Sequence, residues 1–324
     1  MLFRQMLEIF DLLDKPSANG EEIADLMRRR GASEAKARRI QGDKGGTDNI
    51  KILIKGSQGR SSGGGAPTLG IIGRLGGLGA RPERIGFVSD GDGALAALTA
   101  ALKLAEMRKN GDALPGDVII ATHICPDAPT QPHDPVPFMD SPIDMALSNA
   151  TEVDQRMEAI LSVDTTKGNR IININGFAIS PTCKEGYILK VSNDIMDVMT
   201  AVTGRMPQVF ALSQQDITPY SNGLYHVNSI LQPAAATAAP VVGVAITVAH
   251  MVAGCATGAT HGADVEAAAR FAAEVAKAFG AGQCAFYDEA EFSRLKNLYG
   301  EMTHFQTPGK EAGKEAGKEA GKEA

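Results

Sequence analysis

ERIGFVSDGDGALAALTAALKLAEMRKNGDALPGDVIIATHI, residues 83–124, carries the reading on which the fold depends. ERIGFVSD, with the apolar run Ile85–Val88, predicts a strand ending at Asp90. The Ala- and Leu-rich run from Ala94 predicts the longest helix of the chain, closed by Asn110-Gly111. GDVIIATHI is a continuous β-branched run, the pattern of a strand buried on both faces of a sheet. Strand, helix and strand in that order predict a right-handed crossover unit with parallel strands.

The segments on either side repeat the alternation. In FRQMLEIFDLLD the apolar residues Phe3, Met6, Leu7, Phe10 and Leu13 recur at helical spacing. Pro16, Ser17 and Asn19-Gly20 break that helix, and Asn19 is placed to cap a second one, EEIADLMRRR, with acids first and bases last. AKARRIQ and NIKILIKG predict two strands joined by the turn-rich GDKGGTD. After the Gly- and Ser-rich loop at 57–66, PTLGIIGRLGG predicts a strand running into a glycine turn. Downstream, TEVDQRMEA predicts a helix, AILSVDTT and GYILKVS strands, DIMDVMTAVTG a helix, PQVFALSQ and VVGVAITVA strands, and DVEAAARFAAEVAKAFG the last helix. The whole predicts one α/β domain over residues 1–307, a three-layer α/β/α sandwich with a mostly parallel central sheet. The remaining 308–324 repeat GKEA four times and are expected to lie outside the fold.

Composition narrows the function classes. Of 324 residues, 44% are hydrophobic and 22% charged, ordinary for a packed domain. Aromatics are 5%, Trp is absent and Gly counts 36, which suits a Val/Ile/Ala sheet with glycine loops better than an aromatic-rich sandwich. A net charge of −6 provides no basic field for nucleic acid. Cys125, Cys183, Cys255 and Cys284 show no zinc-finger spacing and read as reduced thiols of a cytoplasmic protein. Arg4, Glu8, Asp11 and Asp14 interrupt any signal-peptide core. The apolar stretch 234–254 contains Pro240 and His250 and reads as a buried strand rather than a membrane span. No phosphate-binding GxxxxGK[ST] is present, and GIIGRLGGLG lacks the spacing of a dinucleotide loop.

Ligands of an open parallel sheet bind beyond the carboxyl ends of its strands. Polar residues just after strand runs are therefore the candidates: Asp90 with Asp92, His123 and Asp127 with His133-Asp134 following, Asp164, and His261 with Asp264. Carboxylates and imidazoles meeting at one rim are the donors that Zn²⁺, Mn²⁺ or Co²⁺ takes, and a bound ion acidifies water for amide hydrolysis. Each residue also has a structural reading. Asp90 would serve equally as a turn and helix cap, Asp164 as a turn cap, and His123 as a hydrogen-bonded core histidine. His261 lies in a Gly/Ala/Thr loop with little core to join. His226, in PYSNGLYHVN, is either a surface hydrogen-bonder or a substrate contact.

In order along the chain these segments resemble the clan of co-catalytic zinc aminopeptidases that includes the glutamyl and tetrahedral enzymes. LEIFDLLDKPSANGEEIADLMRRR is similar to the clan's entry helices, and GDKGGTDNIKI to its following strand segment. Asp90 before an Ala-rich helix looks like the bridging metal aspartate, SVDTT like a ligand strand, and ATHGADVEAAARFAAEVAKAF like the last ligand histidine and final helix. The likeness covers about residues 1–280. The chain departs from it where the first ligand histidine is implied, for Arg74 and Leu75 stand there. His123 and Asp127 replace the implied pair of glutamates, and the inserted lobe is missing. With THICPDAPTQPHDPVPFMDSP and QDITPYSNGLYHVNSILQP, the chain closely resembles an uncharacterised bacterial family, domain of unknown function 1177.

The resemblance implies a metal-dependent hydrolase of amide or peptide bonds. One divalent transition metal (Zn, Mn or Co) would be held by Asp90, Asp164 and either His123 or His261, with Asp127 as the base. Arg74 would repel a second ion or hold a substrate carboxylate, so the expected substrate is a small molecule or short peptide bearing one. The alternative is a degenerate module that binds a small peptide or amino-acid derivative without turning it over. Analogy further implies a homo-oligomer.

Overall fold

The computed structural model describes residues 1–309. Helices α1 (Phe3–Leu13) and α2 (Gly20–Arg30) precede the hairpin β1 (Glu34–Gly42) and β2 (Gly45–Ile54). There follow β3 (Leu69–Gly73), α3 (Asp92–Lys109), β4 (Val118–Ile124), a small ribbon β5 (Thr130–Gln131) and β6 (Phe138–Met139), then α4 (Met145–Glu152) and β7 (Ala159–Thr165). The second half adds β8 (Gly176–Ile179), β9 (Cys183–Lys184), β10 (Tyr187–Ile188), α5 (Asn193–Thr203), β11 (Val241–Thr247), α6 (Gly262–Gly280) and α7 (Glu289–Tyr299).

One sheet runs β1-β2-β4-β3-β7-β11-β9-β10, and β8 pairs with β11. Its centre, β4-β3-β7-β11, is parallel, whereas β2 joins β4 and β8 joins β11 antiparallel. The four central strands are apolar on both faces because layers cover both. On one face Ile71, Leu161, Val163, Val244 and Ile246 pack with α1, α2, α3, α5 and α6. On the other, Ile72, Ile119, Ile160 and Ala245 pack under Ile217, Ile230, Leu231 and Ala234, from irregular segments beside α4. The expected mixed α/β architecture with a mostly parallel sheet is therefore present, with regular helices concentrated on one face. The stretch 234–254 holds β11 in the middle of the sheet, and no described helix is long and apolar enough to cross a membrane.

Several elements differ from expectation. ERIGFVSD is a loop, because its amides find partners away from any strand edge. Phe87 N donates to the Asp14 carboxylate at 2.6 Å, Ser89 N to Thr257 O at 2.6 Å and Asp90 N to Cys255 O at 3.1 Å. The strand that feeds α3 is β3, through a long intervening loop. The helix expected at TEVDQRMEA lies upstream as α4, where Asp144 caps Leu147 N at 2.8 Å, and Val153 then leaves in an extended conformation. PQVFALSQ forms one bridge, Val209 to Ile179, and GYILKVS only the two-residue β10. β8 and α7 have no counterpart in the sequence reading. The GKEA repeats from residue 310 lie outside the described residues.

Close approach of α3 to the sheet positions the rim. A Cβ on Gly93 would stand 2.4 Å from Arg74 O and 2.5 Å from Val163 O, so only glycine lets the helix start touch β3 and β7.

Candidate functional site

The parallel centre of the sheet brings the carboxyl ends of β3, β4, β7 and β11 to one rim, and the residues after them meet there. Asp90 is 8% exposed and does not cap α3. Its Oδ2 instead accepts from Gly76 N at 2.6 Å and Gly77 N at 2.8 Å in the loop after β3. Asp164, 4% exposed at the end of β7, accepts from Ser229 Oγ at 2.9 Å and from the adjacent Thr165 N at 2.8 Å. Burial raises both acids, Asp90 to about 6 and Asp164 to about 7, and the charge of Asp90 adds to the rise at Asp164. The Cys255 thiol beside Asp90 is also pushed up by burial.

Two further buried acids have cations in contact. Asp92, fully buried in the first turn of α3, meets Lys167 Nζ at 2.6 Å and accepts from Thr260 Oγ1 at 2.8 Å. Glu152 at the end of α4 pairs with Arg74, and both are almost completely buried. Burial pushes Asp92 upward and the Lys167 ammonium opposes that rise. Asp90 and Asp164, both buried, have no cation in contact.

Other residues singled out in the sequence stand apart from this pair. His123 is 1% exposed, with Nδ1 2.8 Å from Thr47 Oγ1 and Nε2 2.9 Å from Leu75 O. Both ring nitrogens are engaged by protein, and burial lowers its basicity; it is a core histidine, not a free ligand. His261 is half-exposed at the start of α6, with Nδ1 3.4 Å from Asp264 Oδ2. Asp127 is exposed, its backbone bridged to Ala80. Arg74, expected to meet a substrate carboxylate, is enclosed with Glu152 and Ser148 and faces no solvent. His226 is buried rather than on the surface: it stacks on Tyr220 with ring centroids 4.4 Å apart and bonds Leu224 O at 2.9 Å. Among the described residues no three His, Cys, Asp or Glu side chains come together as a metal-ligand set. The ligand set implied by resemblance, Asp90 and Asp164 with His123 or His261, is therefore not assembled, and the residues present do not fit a transition-metal centre.

Lys167, Glu152 and Ser229 were not singled out in the sequence. Lys167 follows the SVDTT segment immediately, a cue at hand. Glu152 lies 78 residues from Arg74 and Ser229 lies 65 from Asp164, so contact alone reveals them.

A family model described as "Protein of unknown function" matches residues 38–309. The chain belongs to the DUF1177 family. No curated protein matches this DUF1177 chain. Among solved structures, LapA of Legionella pneumophila aligns over 85% of this chain and 71% of its own, at 10% identity and a TM-score of 0.51. The bottromycin maturation enzyme BotP aligns over 83% of this chain and 66% of its own, at 14% identity and a TM-score of 0.49. The glutaminyl cyclase of Porphyromonas gingivalis aligns over 87% and 97% respectively, at 10% identity and a TM-score of 0.48. BotP has also been solved with Mn. The DUF1177 chain spans about two-thirds of BotP's length. At such identities the likeness to LapA establishes the aminopeptidase-type fold and nothing finer.

Proposed function

We propose that this protein hydrolyses an amide or peptide bond in a small substrate, with Asp90 and Asp164 as its acid–base pair. The observation that carries the reading is the placement of two buried carboxyls, neither paired with a cation, one at the end of β7 and the other in the loop between β3 and α3, beyond the carboxyl ends of the parallel strands where ligands of such sheets bind. Burial raises both acids towards neutrality, so that the pair shares one proton, one carboxylate acting as base and the other, protonated carboxyl as acid. Water adds to the amide carbon as the carboxylate takes its proton. The protonated carboxyl gives its proton to the nitrogen, the C–N bond breaks, and a carboxylic acid and an amine leave. Because Arg74 is closed off by Glu152, the expected preference for a carboxylate-bearing substrate is dropped.

Apolar loops around the rim support a substrate with an apolar side chain. Of 15 large apolar residues exposed among the described residues, Ile85, Phe138, Ile171 and Met251 lie on segments that follow the rim strands, and Tyr220, Leu224, Tyr225 and Val227 on the segment before β11 whose Ser229 bonds Asp164.

A panel of aminoacyl amides, dipeptides and N-acyl amino acids, followed by mass spectrometry, tests the reading. Turnover of a member with an apolar side chain is expected, and Asp164→Asn should lower kcat by about 100-fold or more with the fold intact. A second reading, a binding module without catalysis, is favoured by the enclosure of His123 and Arg74. Ligands that raise the thermal midpoint of wild type and Asp164→Asn alike, with no product from either, would establish it instead.

A further inference from the structure

Lys167 is an unusual lysine. Its side chain is 4% exposed, and its backbone sits at φ 46°, the left-handed region that a side chain ordinarily avoids. The chain around it is crowded as well, since a Cβ on the next residue, Gly168, would overlap His250 O. That constrained turn delivers the ammonium into a group of oxygens. Asp92 Oδ2 lies at 2.6 Å and Ala259 O at 3.2 Å. Thr260 Oγ1 donates to the other oxygen of Asp92 at 2.8 Å. Asp264, 8% exposed, is close enough for the ammonium to stabilise its charge, and its Oδ2 has no hydrogen-bond partner. His261 Nδ1 stands 3.4 Å from that oxygen without hydrogen-bond geometry.

Carboxylate, carbonyl and hydroxyl oxygens are the surroundings that hard divalent cations take. Here a tethered cation already stands among them, on Asp92 and Ala259 O. We propose that the Lys167 ammonium is a built-in cation filling an oxygen-lined pocket of Asp92, Ala259 O and Thr260, so that the pocket takes no free divalent ion until the lysine is removed. The pocket shares the rim with Asp90 and Asp164 but does not depend on their acid–base role. Lys167 is a positioning residue: through Asp92 it anchors the start of α3, and with it the loop that carries Asp90.

The test compares tag-free wild type with Lys167→Met, both stripped with chelator, by thermal midpoint with and without Mg²⁺, Ca²⁺ or Mn²⁺. Wild type should be unmoved by the ions. Lys167→Met should melt lower, because a fully buried carboxylate has lost its partner, and the ions should raise its midpoint in a saturable way. Asp92→Asn in the Lys167→Met background should restore stability and abolish the response, since removing both charges relieves the unpaired acid. The proposal is overturned if Lys167→Met responds no more than wild type, or fails to fold with and without the ions. Elemental analysis supplies an arm that needs no lysine variant: wild type retaining one equivalent of a divalent ion, lost on Asp92→Asn, overturns it as well.

Discussion

Asp90 and Asp164 stand out because burial outweighs what offsets it: neither has an ion-pair partner, and Arg74 lowers Asp164 only in part. Desolvation of a carboxyl favours its protonated form, so the pair keeps protons that the unfolded chain has already released. Below the ordinary value near 3.8 folded and unfolded states are both protonated, and burial costs nothing extra. As pH rises from there the unfolded chain ionises first, and folding stability falls until the folded acids ionise near 6 and 7. For Asp164 the loss is about 4 kcal/mol across that window. Urea midpoints measured from pH 4 to 8 should therefore decline less in Asp164→Asn than in wild type. The same pair sets the rate profile: kcat/KM should be bell-shaped with its maximum between about 6 and 7, where one proton is shared by two coupled groups. A flat profile through that window would remove the acid–base assignment.

α3 shows how packing, rather than amphipathic pattern, places the chemistry. It is buried from Asp92 to Leu102 on every side, as an Ala-rich helix lying across a sheet can be. Gly93 meets β3 and β7 backbone, and Gly73 meets the helix, with a Cβ there 2.7 Å from Gly93 O. Gly93→Ala should push the helix start away from the sheet and cost about 1–3 kcal/mol. Because Asp90 and Asp92 ride on that start, hydrolysis should fall more steeply than the loss of folded protein accounts for. Activity per folded molecule, taken from circular dichroism and turnover on one sample, checks this. An exposed helix position, such as Ser293 of α7 changed to Ala, should show neither effect.

For the molecule as a whole, the rim is where the surface departs from an ordinary soluble face. Loops after β3, β4, β7 and β11 are tied together by the bond from Ser89 N to Thr257 O, by that from Met139 N to Cys255 Sγ at 3.4 Å and by a Gly168–Met251 bridge, and the segment before β11 joins them through the bond from Ser229 to Asp164. The loop after β11 presents Met251 at 75% exposure, and the segment before β11 that carries Ser229 presents Tyr225 at 87%. Tyr225→Ser and Met251→Ser should each change stability by less than about 0.5 kcal/mol. Both should raise KM for substrates with apolar side chains while leaving kcat near wild type, which steady-state kinetics on two substrates of different side-chain size would resolve.

Much of the frame was legible from residues alone. Continuous apolar runs such as VIIATHI and VVGVAIT reveal central strands, because two-sided burial removes polar alternation, and Asn19 and Gly31 mark the ends of α2 as local capping requires. The end of the SVDTT run points to Asp164, since parallel order dictates which end of a strand faces a ligand, whereas Asp90 is reached through a strand that does not form. ERIGFVSD misleads because its apolar run matches a strand, while its amides are claimed by Asp14, Thr257 and Cys255, up to about 170 residues away. Which charges meet is a matter of contact in space: Arg74 is enclosed by Glu152, Lys167 by Asp92, and His123 by Thr47 and Leu75. Periodicity and capping act over a few neighbouring residues and can be read along the chain. Ionisation and ligand competence depend on desolvation and on partners far away in sequence, and those exist only once the chain has closed around them.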